Sequence, residues 1–407
     1  MSSQEGLPLD RYGMTSPPEV GGQPGGYEER WAQWFLEQSF FRDFVYRNPK
    51  GKKKGTELAD ALVLFSDVAL LVQVKAQCGN HDPISWATEK LLDALKQLKA
   101  THEQLGDGGI TKLDHEVYGT APFAPAKYPN HLGIIVLAQE NPQPFDAATV
   151  VPEILVAGFP VHVFSLRDFN MITERFDTAG DFITFLEFRT DVIPREQFTV
   201  HEEEGNIQRI IPHLRDVLTR HMSPSSSEEL EKTVAAVTAT ASGGMLSSPE
   251  RRFGLAIDDI IARAHGVQEP ADPARRRKNL VVAEFLGWLT RARRISLGKR
   301  LVQQSLEARD GNPHYFVHVQ RERGTACVYL STAEARPERL ETLKFLVAYA
   351  QMKHGVDRCL GVATEPVGDG RSYDFALREG PLPEELVAHL KNVDGPFGAT
   401  GPLGMPE

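Results

Sequence analysis

The residues most suited to chemistry are Asp60, Gln73 and Lys75, which flank two short apolar runs joined by the dipeptide Ser66-Asp67. Runs rich in Val and Leu with such a connection are typical of a β-hairpin. Because side chains alternate along a strand, Gln73 and Lys75 lie on the same face. A buried Lys and Gln need polar partners, and Asp60 stands at the mouth of the neighbouring strand. We therefore expect a carboxylate, a carboxamide oxygen and an ammonium to meet at one point.

This combination of groups is suited to metal-dependent hydrolysis of a phosphodiester. Mg²⁺ prefers oxygen ligands in octahedral geometry and keeps several waters, one of which can attack phosphorus. An ammonium nearby can orient that water and offset the developing negative charge. The pattern predicts Asp60 and Gln73 as ligands of Mg²⁺ or Mn²⁺. Glu57 is a direct or more distant contributor, and Lys75 is the catalytic ammonium.

The spacing of these residues resembles the signature of the PD-(D/E)xK nuclease superfamily, an Asp followed by (Asp/Glu)-x-Lys. It resembles more closely the Mrr-like, restriction-endonuclease-like branch, in which Gln-x-Lys takes the place of (Asp/Glu)-x-Lys, as in Gln73-Val74-Lys75. The resemblance extends from about Tyr27 to Phe169. It implies a Mg²⁺-dependent endonuclease that acts on DNA more often than RNA, usually in restriction or antiphage defence.

The resemblance also implies a role for a glutamate on the helix before the hairpin. Glu28 and Glu29 fall in the first turn of an amphipathic segment, and Glu28 shares the core-facing stripe of Trp31 and Phe35. Glu28 is therefore the better candidate for the metal site. A carboxylate in a first turn also favours the helix dipole, so a purely structural role explains either residue.

A second amphipathic helix, expected over Pro83–Leu105, carries Gln97 beside its apolar stripe. Members of the Mrr-like branch often have a Gln near the active site on this helix, and Gln97 resembles it. An ordinary polar residue on the flank of the helix is an equally good explanation of Gln97.

The segment Arg47–Lys54 contains cations and no acid, directly before Glu57 and Asp60. The formal net charge of −10 weighs against a nucleic-acid-binding protein, but local basic patches can bind a polyanion. The position of this segment predicts nucleic-acid contacts, and a solvated loop is the alternative. The predicted nucleic-acid-binding residues are Lys50, Lys52, Lys53 and Lys54.

Periodicity along the chain predicts the order α, β, β, α, β, α, β, with a helix over Ala147–Ala157 and strands over Leu132–Ala138 and Val161–Leu166. This order favours an α/β fold with a mixed sheet flanked by helices, as the resemblance to restriction endonucleases requires. The expected organisation is a disordered segment over 1–26, a nuclease-like domain over 27–200, a helical connector over 201–248, a C-terminal α+β domain over 249–394 and a flexible tail over 395–407.

Composition and missing motifs restrict the other possibilities. The three cysteines lack C-x-x-C spacing, which argues against a zinc finger or a disulfide framework and favours the cytoplasm. The N-terminus does not resemble a signal peptide, and no apolar run is long enough to span a bilayer. Motifs of P-loop ATPases, G-x-S-x-G hydrolases and H-E-x-x-H proteases do not occur.

Alternatives to an active nuclease remain open. An ordinary sheet with one wet face can produce the same Asp and Gln-x-Lys pattern. Gln73 removes a charge from the metal site, so a catalytically inactive module for nucleic-acid binding or assembly is also consistent. A regulatory protein whose acidic surface binds another protein is a third possibility. The C-terminal domain carries no recognised catalytic motif, and we expect it to sense a target, form a homo-oligomer or hold a defence-system partner protein.

Overall fold

The computed structural model describes residues 18, 26–51, 57–116, 118–193, 196, 198–221, 227–244, 250–264, 273–308, 312–320, 323–366 and 372–392. The chain divides into two compact units, Met1–Ile295 and Ser296–Glu407. Among the helices of these ranges, none has the length and apolar character needed to cross a membrane.

The strands of the first unit are β1 (Val45–Arg47), β2 (Ala61–Phe65), β3 (Val68–Ala76), β4 (Lys112–His115), β5 (Gly119–Pro122), β6 (Asn130–Ala138), β7 (Phe145–Asp146), β8 (Val161–Ser165) and β9 (Thr199–Val200). The main sheet has the order β1-β2-β3-β6-β8. Strands β1, β2 and β3 pair antiparallel, whereas β3, β6 and β8 pair parallel. The sheet is therefore mixed, as the sequence predicts.

The helices of the first unit are α1 (Gly26–Phe40), α2 (Pro83–Gly106), α3 (Ala147–Val150), α4 (Leu166–Arg175), α5 (Ala179–Val192), α6 (Glu203–Ile210), α7 (Leu214–His221), α8 (Ser227–Ala241), α9 (Arg251–Ala264) and α10 (Pro273–Gly287). A further helix, α11 (Arg291–Glu307), contains the boundary between the units. Short 3₁₀ turns occur at Arg42–Phe44, Pro125–Lys127, Pro152–Ile154 and Ile211–His213.

The β2–β3 hairpin has the form expected from its sequence. Phe65 pairs with Val68 across the two-residue connection, and Ser66 has a positive φ of 57°. A positive φ lets so short a connection follow the twist of its strands. The register pairs Ala61 with Val72, which fixes the relative positions of the polar residues beyond the end of β2.

The two faces of the main sheet pack against different helices. One face, which includes Leu62 and Leu71, forms a core with the apolar stripe of α2 at Leu91, Leu95 and Leu98. The other face is covered by aromatic packing, in which Phe40 of α1 contacts Phe65 and Phe182 of α5 edge to face. Burial on both faces explains why β2 and β3 are almost entirely apolar.

The predicted order of the major elements and the mixed sheet flanked by helices are confirmed. The long helix predicted over Ala147–Ala157 is wrong. It is a single turn, α3, followed by a 3₁₀ turn that begins at Pro152. Proline removes a backbone donor and clashes with the preceding turn, so the helix does not continue. The short strands β1, β4, β5, β7 and β9 have too few residues to show a period in the sequence.

Helices α9 and α10 belong to the first unit, although the sequence placed them in a C-terminal domain beginning at 249. Buried ion pairs connect α9 to the start of α11, and connect the start of α11 to the segment between α4 and α5. Arg291 binds Asp177 at 2.9 Å and Asp258 at 2.6 Å, and Arg294 binds Asp258 at 2.7 Å. Residues 275–300 are rich in Lys and Arg, and these two arginines among them have a structural role. Asp181 also accepts a hydrogen bond from the backbone N–H of Arg291.

The second unit contains β10 (His314–Gln320), β11 (Thr325–Ser331), β12 (Arg358–Thr364) and β13 (Tyr373–Glu379), with helices α12 (Arg336–His354) and α13 (Glu384–Lys391). The sheet order is β10-β11-β12-β13, and only β11 and β12 are parallel. A helix, a hairpin, a crossover helix and a parallel strand thus follow one another, as they do from α1 to β6 in the first unit.

Candidate functional site

The candidate site lies where β2 begins and β3 approaches its end. Asp60 directly precedes β2, and its backbone N–H donates to the carbonyl of Val72 at 3.1 Å. The Asp60 carboxylate accepts a 2.6 Å hydrogen bond from the backbone N–H of Val74. The hairpin register therefore holds Asp60 beside the Gln73-Val74-Lys75 segment, as the sequence predicts.

Lys75 lies between two carboxamides. Its Nζ atom donates to Oε1 of Gln97 at 2.7 Å and lies 3.5 Å from Oε1 of Gln73. Gln73 is buried, with 4% of its surface exposed, whereas Lys75 is half-buried and Gln97 is exposed on α2. Among the described residues no carboxylate forms an ion pair with Lys75, so hydrogen bonds to neutral groups orient its ammonium.

Asp60 interacts electrostatically with two neighbouring carboxylates, those of Glu29 and Glu57. Burial raises the pKa of Asp60; the hydrogen bond from Val74 and the charge of Lys75 oppose this rise, and Glu57 adds to it. Burial and the nearby Asp60 raise the pKa of Glu29, with a smaller contribution from Glu57. Carboxylates that disfavour one another's ionised forms are stabilised by a bound cation.

Glu29 of α1 interacts electrostatically with the residues of the site. Besides burial, the charges of Asp60 and Glu57 raise its pKa, and the charge of Lys75 lowers it. Helical spacing favoured Glu28, because Glu28 shares a stripe with apolar residues. The relevant spacing is instead that between Glu29 and Gln33, one helical turn later, since Gln33 donates to the backbone carbonyl of Asp60 at 2.6 Å.

Glu57 has a partner that the sequence did not predict. Its carboxylate is 2.7 Å from Nζ of Lys50, and the two residues also form an isolated antiparallel bridge. Both side chains are largely exposed, so the ion pair is weak and open to exchange. Lys50, expected to contact nucleic acid, is therefore partly engaged by Glu57. The other three lysines of that prediction, Lys52, Lys53 and Lys54, lie outside the described residues.

The donor set fits Mg²⁺ with few protein ligands. No group of three or more His, Cys, Asp and Glu side chains in the described part of the chain is arranged to hold a metal. Mg²⁺ is commonly bound by one or two carboxylates and completes its octahedron with water. Asp60 has a carboxylate oxygen besides the one that accepts from Val74, and Gln73 offers a carboxamide oxygen nearby. The raised pKa of Asp60 is consistent with a place for a cation.

Asn48 and Gln33 belong to the same hydrogen-bonded group and were not singled out from the sequence. The side chain of Asn48 accepts from Gln33 Nε2 at 2.8 Å and is hydrogen-bonded to Glu29. Asn followed by Pro is a common turn sequence, which explains why Asn48 gave no functional signal. Gln33 is buried, with 3% exposure, and lies one helical turn before the buried Glu37 on the same side of α1.

Comparison with known proteins provides no assignment. No protein-family model, no curated protein and no solved structure matches this chain. The geometry of the site and the resemblance of its motif are therefore the basis for a proposed function.

Proposed function

We propose that this protein is a Mg²⁺-dependent endonuclease with a restriction-endonuclease-like first unit. The observation that carries the proposal is the position of Lys75. Its ammonium is held by the carboxamides of Gln73 and Gln97, next to the strand that follows the half-buried Asp60. An ordinary wet sheet face does not require a lysine oriented by two neutral acceptors beside a half-buried acid.

The chain's own residues would divide the work in the following way. Lys75 is hydrogen-bonded to two neutral side chains, so its ammonium is placed to orient the attacking water and stabilise negative charge on the phosphate. Asp60 and Gln73 would hold the metal, and Glu29 and Glu57 would add negative potential around it. When bound, Mg²⁺ supplies Lewis-acid polarisation of the phosphate and lowers the pKa of coordinated water.

The resemblance to the Mrr-like branch favours DNA over RNA as substrate and restriction or antiphage defence in the cytoplasm as the setting. Because one such site cuts one strand, cleavage of both strands would require a homo-oligomer or successive nicks. In this proposal the second unit senses a target, forms the oligomer or holds a partner protein. The side chains of β11 that face α12 are followed, at the next two alternate positions, by Thr332 and Glu334. The second unit therefore has no lysine at the position that corresponds to Lys75.

A second candidate function is a nuclease fold that binds nucleic acid or assembles without catalysis. The neutral Gln73 and the absence of a three-ligand cluster among the described residues favour it. The experiment that separates the two is nicking of supercoiled plasmid with Mg²⁺, with Mn²⁺ and with EDTA. We expect nicking with either ion and none with EDTA. Binding of divalent ions without nicking would support the inactive module.

A further inference from the structure

Asn48 links helix α1 to the strand that begins at Asp60. It lies just after β1 and has a left-handed backbone conformation, with φ of 45°. Its backbone N–H donates to the carbonyl oxygen of Asp60 at 3.1 Å. The residue therefore approaches the metal-site acid through the main chain, on the strand side of α1.

The side chain of Asn48 continues this link into α1. Its Oδ1 accepts from Nε2 of Gln33 at 2.8 Å, and the same Nε2 donates to the Asp60 carbonyl at 2.6 Å. Because Oδ1 is the acceptor toward Gln33, the amide nitrogen of Asn48 is the group that donates to Glu29. The carboxamide of Asn48 thus connects Glu29 with Gln33, which is hydrogen-bonded to the backbone of Asp60.

We infer that Asn48 is a positioning residue for the divalent-cation site, holding the Glu29 carboxylate in a fixed arrangement relative to Asp60. The inference rests on the proposed function, because it assigns Asn48 to the metal site of that function. The left-handed conformation is essential to the geometry, since it lets the backbone N–H face Asp60 while the side chain faces α1.

If Asn48 were needed only for its left-handed backbone conformation, glycine could replace it without loss of metal binding. Glycine adopts a positive φ without strain, so it preserves the turn and the backbone hydrogen bond to Asp60. It removes only the carboxamide that binds Gln33 and Glu29. Asn48→Gly therefore separates a positioning role from a purely structural one.

The hairpin connection offers a matched control. Ser66 also has a positive φ, 57°, and lies at the opposite end of β2 from Asp60. Ser66→Gly introduces the same added chain flexibility in the unfolded state as Asn48→Gly. The effect of glycine on the unfolded state is therefore common to both variants, whereas the loss of the Asn48 carboxamide is not.

The test is calorimetric titration of Mn²⁺ into the full-length wild type, Asn48→Gly and Ser66→Gly, with thermal unfolding of each. Partners that orient metal ligands typically account for about 10- to 100-fold in metal affinity. We expect Asn48→Gly to bind Mn²⁺ at least about tenfold more weakly than Ser66→Gly, at a similar unfolding temperature.

The outcomes distinguish this inference from the proposed function. If Asn48→Gly binds Mn²⁺ within about twofold of wild type, Asn48 does not position the site, and the nuclease proposal stands. If wild type and Ser66→Gly bind no Mn²⁺, the proposed function fails and the role of Asn48 fails with it. Weaker binding in both glycine variants to the same extent would also overturn the role of Asn48, since it would show a general effect on the hairpin.

Discussion

The Nζ atom of Lys75, near the end of β3, lies 2.7 Å from Oε1 of Gln97, on the helix that follows. This contact joins the β2–β3 hairpin to α2 at the candidate site. Because Gln97 is neutral, it fixes the direction of the ammonium without cancelling its charge. A glutamate at this position would form an ion pair and reduce the charge available to a phosphate.

Gln97→Glu should therefore slow DNA cleavage although it preserves the shape of the side chain. A partly exposed ion pair is worth up to about 1 kcal/mol, so we expect a loss of up to about fivefold in the single-turnover rate. Gln104→Glu adds the same charge to α2 away from Lys75 and serves as the control. Equal rates for both variants would show that the Lys75–Gln97 contact does not matter for catalysis.

Asp60→Asn should weaken divalent-ion binding, because hard cations prefer anionic oxygen ligands. Gln73→Glu should keep or tighten binding, because it restores the charge that Gln73 lacks. We expect calorimetry with Mn²⁺ to show a loss of at least about tenfold for the first variant. Unchanged affinity in Asp60→Asn would exclude Asp60 as a ligand.

The pKa of Asp60 is raised by burial, which fixes the sign of its effect on stability. A carboxylate with a raised pKa in the folded state stabilises the fold when protonated, and this contribution is lost as the pH rises through that pKa. Without metal, Asp60→Asn should therefore gain stability relative to wild type as the pH rises. Urea unfolding from about pH 4 to about pH 8 measures the difference. If the stability of Asp60→Asn falls relative to wild type as the pH rises, the pKa of Asp60 is not raised in the folded protein.

Added Mn²⁺ should make wild type more stable than Asp60→Asn. A ligand that binds only the folded state stabilises it by about 2.7 kcal/mol at a free concentration of 100 times its dissociation constant. Wild type should gain this stability at neutral pH, whereas Asp60→Asn should gain much less. Identical increases in unfolding temperature would show that the ion binds elsewhere.

The lysines before the hairpin should contribute to nucleic-acid affinity without regard to sequence. Changing Lys50, Lys52, Lys53 and Lys54 to Ser should lower affinity for duplex DNA. It should also flatten the salt dependence, by about 0.9 in slope for every phosphate that a lysine no longer neutralises. Lys50→Ser alone should have a smaller effect, since Lys50 is paired with Glu57. Binding curves that superimpose from low to physiological salt would reject a steering role.

The sequence was sufficient to predict the hairpin, the mixed sheet and the meeting of Asp60 with Gln73-Val74-Lys75. These features follow from local periodicity and from strand alternation, which depend on nearby residues. It favoured Glu28 over Glu29, and the choice between them depends on how α1 is rotated against the sheet. The role of Asn48 depends on a single left-handed backbone conformation, which composition does not reveal.

Long-range pairing accounts for the remaining differences. Buried acids pair with arginines that are far from them in the sequence, and charged residues of both kinds are usually found on the surface. The acids are Asp177, Asp181 and Asp258, and the arginines are Arg291 and Arg294. Their mutual burial connects the helix 251–264 and the start of α11 to earlier parts of the first unit. A basic run with buried partners cannot be told from a nucleic-acid-binding run by sequence alone.

The central claim is that the Lys75 ammonium takes part in cleavage, and the most direct measurement is the rate at which Lys75→Ala nicks supercoiled plasmid DNA with Mg²⁺. Lys96→Ala, which removes an exposed lysine next to Gln97, is the matched control. We expect Lys75→Ala to fall by about 100- to 1,000-fold while Lys96→Ala stays near wild type, with both folded by circular dichroism. Cleavage by Lys75→Ala at the wild-type rate would contradict the account.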